Sequence, residues 1–413
     1  MKLLASLILS AMALAPLRLA ASEPDTDLVF RTAAKKMAAF DAAHPEKNAF
    51  ANDAKGATWT TVPAKDWVAG FYPGCLWYIT EYARQNKWPD ADAWQARAEA
   101  WTAGMKDQQF NVNTHDTGFM IFDSYGNGYR ITKNPAYLPI INRTAQSLAS
   151  RFLPSTGTIR SWGKREDMKN FNSIMDNMMN LELLMWASKH GGTTEGGTSD
   201  DLRKIAMSHA DRSIELFVRP NGSTYHVVEL NPKDGSVVKK RTQQGKGDET
   251  TWSRGQTWAM YGFSYMAETT GEKRYLDTAI KVTDFYLSLL PKDFVPPSDF
   301  DSTLKGLEFK DTSAAAVAAC ALLRLEKLVT DPALKQKYHA AAVGTLKALS
   351  APPYFSTSSD KASILLYAAR DYKEDPNDKK TNTSLIFGDY YLLEGLLALK
   401  ASEAAEPAEK AKN

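Results

Sequence analysis

Apolar positions along this chain recur at three- and four-residue spacing through most of its length, the period of a helix with one face against a core. Read segment by segment, the pattern predicts helices over 28–40, 74–86, 91–106, 135–152, 174–189 and 201–217, with Trp94 and Trp101 on the apolar side of the third. It continues over 255–268, 273–290, 312–330, 332–350, 362–369 and 389–399, which makes twelve helices. Two stretches break the pattern. Residues 223–238 alternate as a short strand or hairpin arm around the turn-like Asn231-Pro232-Lys233-Asp234-Gly235, and 291–309, with Pro296-Pro297, read as an ordered loop. Helix after helix without sustained two-residue alternation predicts an all-α fold. Successive hairpins of twelve helices can close into a double-layered toroid; an open repeat array needs a recurring signature, and none is visible.

The two ends read differently. Met1-Lys2, an apolar run over 3–17, then Arg18 and the small Ala20, Ala21 and Ser22 form a secretory leader over 1–22, its apolar run too short to span a bilayer comfortably. No second stretch of spanning length follows, so an exported protein without a membrane span is expected. Residues 23–402 read as a single domain and 403–413, rich in Ala, Glu and Lys, as a disordered tail.

Composition narrows the function classes. Fifty basic against 48 acidic residues leave a net charge of +2, without the basic excess or stripe of a nucleic-acid binder. The basic run from Lys233 to Lys246 is closed by Asp248 and Glu249 and reads as a solvated loop. Cys75 and Cys320 fall in apolar helical segments and read as buried free thiols. There is no Gly-rich phosphate cradle, no zinc-type spacing of His and Cys and no Gly-x-Ser-x-Gly elbow, so metal and nucleotide chemistry are disfavoured.

Candidate chemistry gathers where loops meet helices. Asp66-Trp67-Val68-Ala69-Gly70-Phe71-Tyr72-Pro73-Gly74 suits either a sugar-stacking platform or a plug of the core. His115-Asp116-Thr117-Gly118 places a carboxylate where a helix cap also fits, and Ser161-Trp162-Gly163 repeats the pairing of aromatic and glycine. Asp176 sits in the apolar Ile174-Met175-Asp176-Asn177-Met178-Met179. Burial there raises a carboxyl pKa towards that of a general acid, unless Asp176 caps a helix or is satisfied by Asn172 and Asn180. In Trp252-Ser253-Arg254-Gly255-Gln256-Thr257-Trp258 the guanidinium can clamp a carboxylate beside aromatic faces or form a structural ion pair.

Several blocks in this order, DWVAGFYPGCLWY, HDTGFMIFDSYGNGYRIT, SIMDNMMNLELLMWAS, TWSRGQTWAMYGF, DTSAAAVAAC and GDYYLLEGL, resemble the unsaturated glucuronyl hydrolases of glycoside hydrolase family 88, from about Asp66 to Glu394. The resemblance implies an (α/α)6 toroid and an enzyme that removes a 4,5-unsaturated uronic acid from the non-reducing end of polysaccharide-lyase oligosaccharides without a cofactor. It implies Asp176 as acid/base and Asp116 as the second carboxylate. It implies Trp67, Phe71 and Trp162 as an aromatic wall, and His115, His226, Gln244, Arg254 and Trp258 as substrate-binding. The bacterial character of the family implies a periplasmic destination. Two other readings stand beside it: an unsaturated rhamnogalacturonyl hydrolase, and a non-catalytic glycan-binding toroid.

Overall fold

A helix that is apolar on every face must be wrapped on every side, and this chain contains several. The computed structural model describes residues 23–375 and 377–410; the leader read over 1–22 lies outside them. In chain order the helices are α1 (Thr26–Ala43), α2 (Phe71–Gln85), α3 (Ala91–Ala103), a wide-turned π-helical stretch (Gly118–Gly126) running into α4 (Asn127–Thr132), and α5 (Leu138–Ala149). They continue as α6 (Asn177–Ser188), α7 (Ser199–Phe217), α8 (Ser253–Thr270), α9 (Lys273–Leu289), α10 (Thr312–Leu328), α11 (Pro332–Leu349) and α12 (Ile386–Lys410). Every residue of α8 from Ser253 to Ala267 is buried, as is every residue of α10 from Thr312 to Leu323. In α11, by contrast, only Tyr338, Ala341, Ala342, Thr345, Leu346 and Leu349 are buried, the single stripe of an outer helix.

Neighbour relations follow from that difference. α2, the Gly118–Gly126 stretch, α6, α8, α10 and α12 pack one against the next, and α12 returns to α2, closing an inner ring. α1 and α3 lie on α2, α5 and α7 on α6, α9 on α8, and α11 on α10. This is the (α/α)6 toroid, and it spans the described residues as one ring. Close approach within the wall uses small residues: a side chain on Gly262 of α8 would place its Cβ 2.5 Å from Met178 Cβ of α6. The two cysteines are free and buried. Among the described residues no helix is long and apolar enough to cross a membrane.

The count of twelve conceals two compensating errors in the sequence reading. Residues 362–369, expected as a helix, are not helical. The Asp389 carboxylate at the start of α12 accepts the Ser363 hydroxyl (2.7 Å) and the Ile364 and Leu365 N–H groups (3.2 and 3.0 Å), which holds that segment open along the ring mouth. Conversely, residues 118–132, to which the sequence pattern assigned no helix, form the second inner segment. Gly118, Gly126 and Gly128 are poor helix formers, but a Cβ on Gly118 would lie 2.5 Å from Asn180 Oδ1 and one on Gly128 2.9 Å from the Trp77 ring. Packing here overrides propensity. The alternating segment forms strands 227–230 and 237–241, and Phe171–Ile174 pairs with the first, Ile174 opposite Val227, in a three-stranded antiparallel sheet. α12 also continues to Lys410, through much of the stretch read as a tail.

Burial pushes the Asp389 carboxyl up to about 6 despite its three donors. A carboxyl raised above its unfolded value binds more protons in the folded state, so its contribution to stability is full at low pH and is lost as pH rises from about 4 through 6. Asp389→Asn is therefore expected to flatten that decline, by at most about 3 kcal/mol, in urea melts at pH 4 to 7; a decline of unchanged size would contradict this role.

Candidate active site

Alternation of inner and outer helices makes every inner segment run the same way, so all six inner N-termini meet at one mouth. Predicted site residues stand there: Trp67 and Phe71 at the start of α2, Asp116 just before Gly118, Asp176 before α6, and Arg254 and Trp258 at the start of α8; Asp311, before α10, joins them. Ring contacts cross the mouth from Trp67 to Phe119 (5.7 Å) and Phe387 (5.2 Å), and from Phe119 to Trp258 (5.5 Å).

Three loops are stitched together beneath the carboxylates. His115 N–H donates to Ser161 O (3.1 Å), Trp162 N–H to Asn172 Oδ1 (3.0 Å), Ile174 N–H to Ser161 Oγ (2.9 Å) and Met175 N–H to His226 O (3.0 Å). Asn180 of α6 accepts the Phe119 N–H on Oδ1 (3.1 Å) and donates to the Asp176 carbonyl (3.4 Å), which ties the Asp116 loop to the Asp176 helix.

Asp176 occupies the N-cap position of α6 but its side chain makes no capping bond, and neither Asn172 nor Asn180 reaches its carboxylate. The residue is 8% exposed, and Oδ1 lies 3.3 Å from His226 Nε2. Asp116 does not cap either: its Oδ2 accepts the Thr114 hydroxyl, and its Oδ1 lies 3.1 Å from Nε2 of the fully buried His115. The structural alternatives for both aspartates are thereby removed. A buried carboxylate that supports no helix end or structural ion pair is costly to keep, and functional sites are where such groups are found.

The expected raised pKa of Asp176 is not what the geometry yields. Desolvation is the largest single influence and pushes the carboxyl up, but the His226 contact and the nearby His115 together outweigh it, leaving the carboxyl below the ordinary aspartate value. In the unliganded site it is an ionised acceptor.

Other expectations divide. Trp67 and Trp162 are partly exposed at the mouth, as a sugar-stacking wall requires. Phe71 and Trp258 are fully buried and form the floor beneath it instead, because the inner ring converges on an aromatic plug with Phe119, Phe387, Tyr390 and Tyr391. His226 stands against Asp176. Gln244 spends its amide on the Arg370 carbonyl (2.9 Å) and so pins a loop. Arg254 is 1% exposed: Nη1 donates to Asp311 Oδ2 (2.6 Å) and Ala369 O (2.7 Å), and Nη2 to Arg370 O (2.7 Å). Its guanidinium is spent on these buried partners, so it is a brace joining α8, α10 and the 369–370 segment and not an open clamp. The sequence reading also missed Thr114 and Thr242, and took Trp252 only as an aromatic face beside Arg254. Trp252 lies over the His226 ring (4.3 Å) and stood in the quoted TWSRGQTW block; Thr114 and Thr242 carried no signal.

A helical toroid whose N-terminal mouth presents two buried carboxylates under tryptophan faces is the architecture of a glycoside hydrolase. No family model matches the chain. An unsaturated glucuronyl hydrolase of Formosa agariphila is 34% identical over 339 residues, covering 81% of this chain and 80% of that protein. An unsaturated chondroitin disaccharide hydrolase of Streptococcus pyogenes is 29% identical over 80% of each. The crystal structure of an unsaturated glucuronyl hydrolase specific for heparin aligns with a TM-score of 0.79 at 30% identity, over 92% of this chain and 98% of that one. The chain belongs to the unsaturated glucuronyl hydrolase family. It is a glycosidase that releases the unsaturated uronic acid from the non-reducing end of lyase-generated oligosaccharides, which sets aside the rhamnogalacturonyl and purely binding readings.

Breaking a buried ion pair on one side costs roughly 3–5 kcal/mol. Arg254→Met is accordingly expected to lower the melting temperature by several degrees, seen by calorimetry. A variant that melts like wild type and differs only in a raised KM would show Arg254 to be a substrate clamp after all.

Proposed function

We propose that Asp176 is the acid/base of the reaction and Asp116 the second carboxylate, acting on the double bond of the sugar and not on its glycosidic carbon. The observation that carries this is the Asp176 carboxylate itself, buried, free of any capping or bracing duty, and faced by His226.

The substrate's C4–C5 double bond is an enol ether conjugated to a carboxylate. A proton passed from Asp176 to C4 leaves positive charge shared between C5 and the ring oxygen. Water then adds to C5 and returns its proton to Asp176, so the residue ends as it began. The product is a hemiketal at C5; its opening to a ketone leaves a hemiacetal at C1, which collapses and expels the remaining sugar. Ordinary glycosidases divide attack and protonation between two carboxylates at the glycosidic bond; here one residue serves in turn as acid and base, and neither step draws on a cofactor.

Two features suit an anionic ring. Six inner N-termini point their N–H dipoles at the mouth, each worth about 0.3–1 kcal/mol to a nearby anion, which supplies attraction that Arg254 does not. Arrival of the uronate carboxylate beside Asp176 also opposes the influence of His226 and raises the Asp176 pKa, so substrate loads the acid it needs. Trp67 and Trp162 supply stacking faces, with His115 and His226 orienting the two carboxylates. Relatives named for chondroitin disaccharides and for heparin point to glycosaminoglycan-derived disaccharides as the substrate class.

Loss of the unsaturated-uronate absorbance on chondroitin-, hyaluronan- and heparin-type lyase disaccharides tests this. Wild type is expected to bleach at least one of them, and Asp176→Asn to lose about 10³-fold in kcat while melting within a few degrees of wild type. Wild-type turnover by a folded Asp176→Asn protein would overturn the assignment.

A further inference from the structure

His226, buried and immediately before the strand 227–230, faces Asp176, and its two ring nitrogens have opposite surroundings. Nε2 lies 3.3 Å from Asp176 Oδ1. Nδ1 receives the backbone N–H of Gln243 at 3.2 Å, and a backbone N–H can only donate, so the Nδ1 lone pair is in use. The Thr242 hydroxyl lies 3.3 Å from the same nitrogen. An Nδ1 that accepts the Gln243 N–H has no proton to give, so the Thr242 hydroxyl can meet it only as a donor, while the same oxygen accepts the Gly245 N–H at 2.8 Å.

The turn that brings these donors to the ring is built and braced. Thr242 N–H donates to Asp248 Oδ1 (3.1 Å), while the buried Asp299 takes the Lys246 N–H and the Thr250 hydroxyl on Oδ2, both at 2.8 Å. A Cβ on Gly245 would lie 2.8 Å from Thr242 Oγ1 and 3.0 Å from Asp299 Oδ2, so the turn closes on the hydroxyl only with glycine there. The Trp252 ring, 4.3 Å from the imidazole and tilted by 30°, fixes the ring plane.

We propose that Thr242 is a positioning residue which, with the Gln243 N–H, locks His226 in the tautomer that carries its proton on Nε2, aimed at the Asp176 carboxylate. His226 then presents a fixed N–H towards the acid/base, 3.3 Å from its Oδ1, and is no proton relay: a relay through the ring needs Nδ1 to gain a proton on the side where two donors already point. The second nitrogen of a functional histidine commonly sets the tautomer in this way. The inference rests on the reading of Asp176 as acid/base for its consequence in catalysis, but the tautomer itself is measurable without turnover.

The test is two-bond ¹H–¹⁵N correlation on ¹⁵N-histidine-labelled full-length protein, with the His226 signals assigned by their loss in His226→Gln. Wild type is expected to show Nδ1 unprotonated and Nε2–H. Thr242→Val is expected to raise the Nδ1-protonated fraction and to lower kcat at least tenfold with KM within threefold, and Thr242→Ser to restore both. Gly245→Ala, which displaces the hydroxyl without removing it, should follow Thr242→Val. A protonated Nδ1 in wild type overturns the proposal, and so does a Thr242→Val protein whose tautomer and kcat match wild type, or one in which the tautomer shifts without effect on kcat. Failure of the acid/base reading looks different: Asp176→Asn would then turn substrate over while the wild-type tautomer remained as described.

Discussion

The parallel run of the six inner helical segments is the constraint on which the rest depends. In a ring of antiparallel hairpins each inner segment is followed by an outer one, so all the inner N-termini, with their unpaired N–H groups, arrive at one mouth. That mouth is therefore polarised towards anions before any side chain is chosen. The aspartates, His115 and Trp67 sit within a few residues of those N-termini, and the sheet and loops between them bring Trp162 and His226 to the same place. The wall itself is closed by small residues such as Gly118 and Gly262, which bring neighbouring segments close enough to fix the mouth's geometry.

Within that mouth the balance at Asp176 decides the chemistry. Burial alone would make it a poor carboxylate, and His226 with His115 makes it a good one. A group held between two opposing influences changes protonation readily when a further charge arrives, which is what a residue acting in turn as acid and base needs. Arg254 and Asp311 show the complementary use of charge: paired, fully buried and bonded to backbone carbonyls, they fix the junction of α8, α10 and the 369–370 segment. The same residue types thus serve chemistry or architecture according to whether their partners leave a face open.

Helix periodicity made the toroid legible, because outer helices carry a clean stripe and inner ones are apolar throughout. It misled where tertiary contacts set the backbone. Residues 362–369 have the apolar content of a helix but are held open by Asp389, 20 and more positions downstream. Residues 118–132 carry three glycines that propensity counts against a helix, though packing against Asn180 and Trp77 requires them. In the site, the two aspartates stood out because a carboxylate in an apolar helix start is conspicuous. Arg254 was equally conspicuous, yet its partner Asp311 is 57 positions away and no local pattern reveals it. Phe71 and Trp258 belong to the right loops, but which aromatic lines the wall and which lies under it depends on ring convergence that one-dimensional spacing does not contain. Thr242 was invisible for the same reason: its importance comes from the imidazole it meets.

The central claim, that Asp176 is ionised in the free site and gains its proton when the uronate arrives, is tested most directly by calorimetric titration with a saturated glucuronide disaccharide that cannot be turned over, near pH 6 in buffers of different ionisation enthalpy. The account predicts uptake of about one proton on binding, absent in Asp176→Asn. Binding without proton uptake by wild type, or uptake that persists in Asp176→Asn, would contradict it.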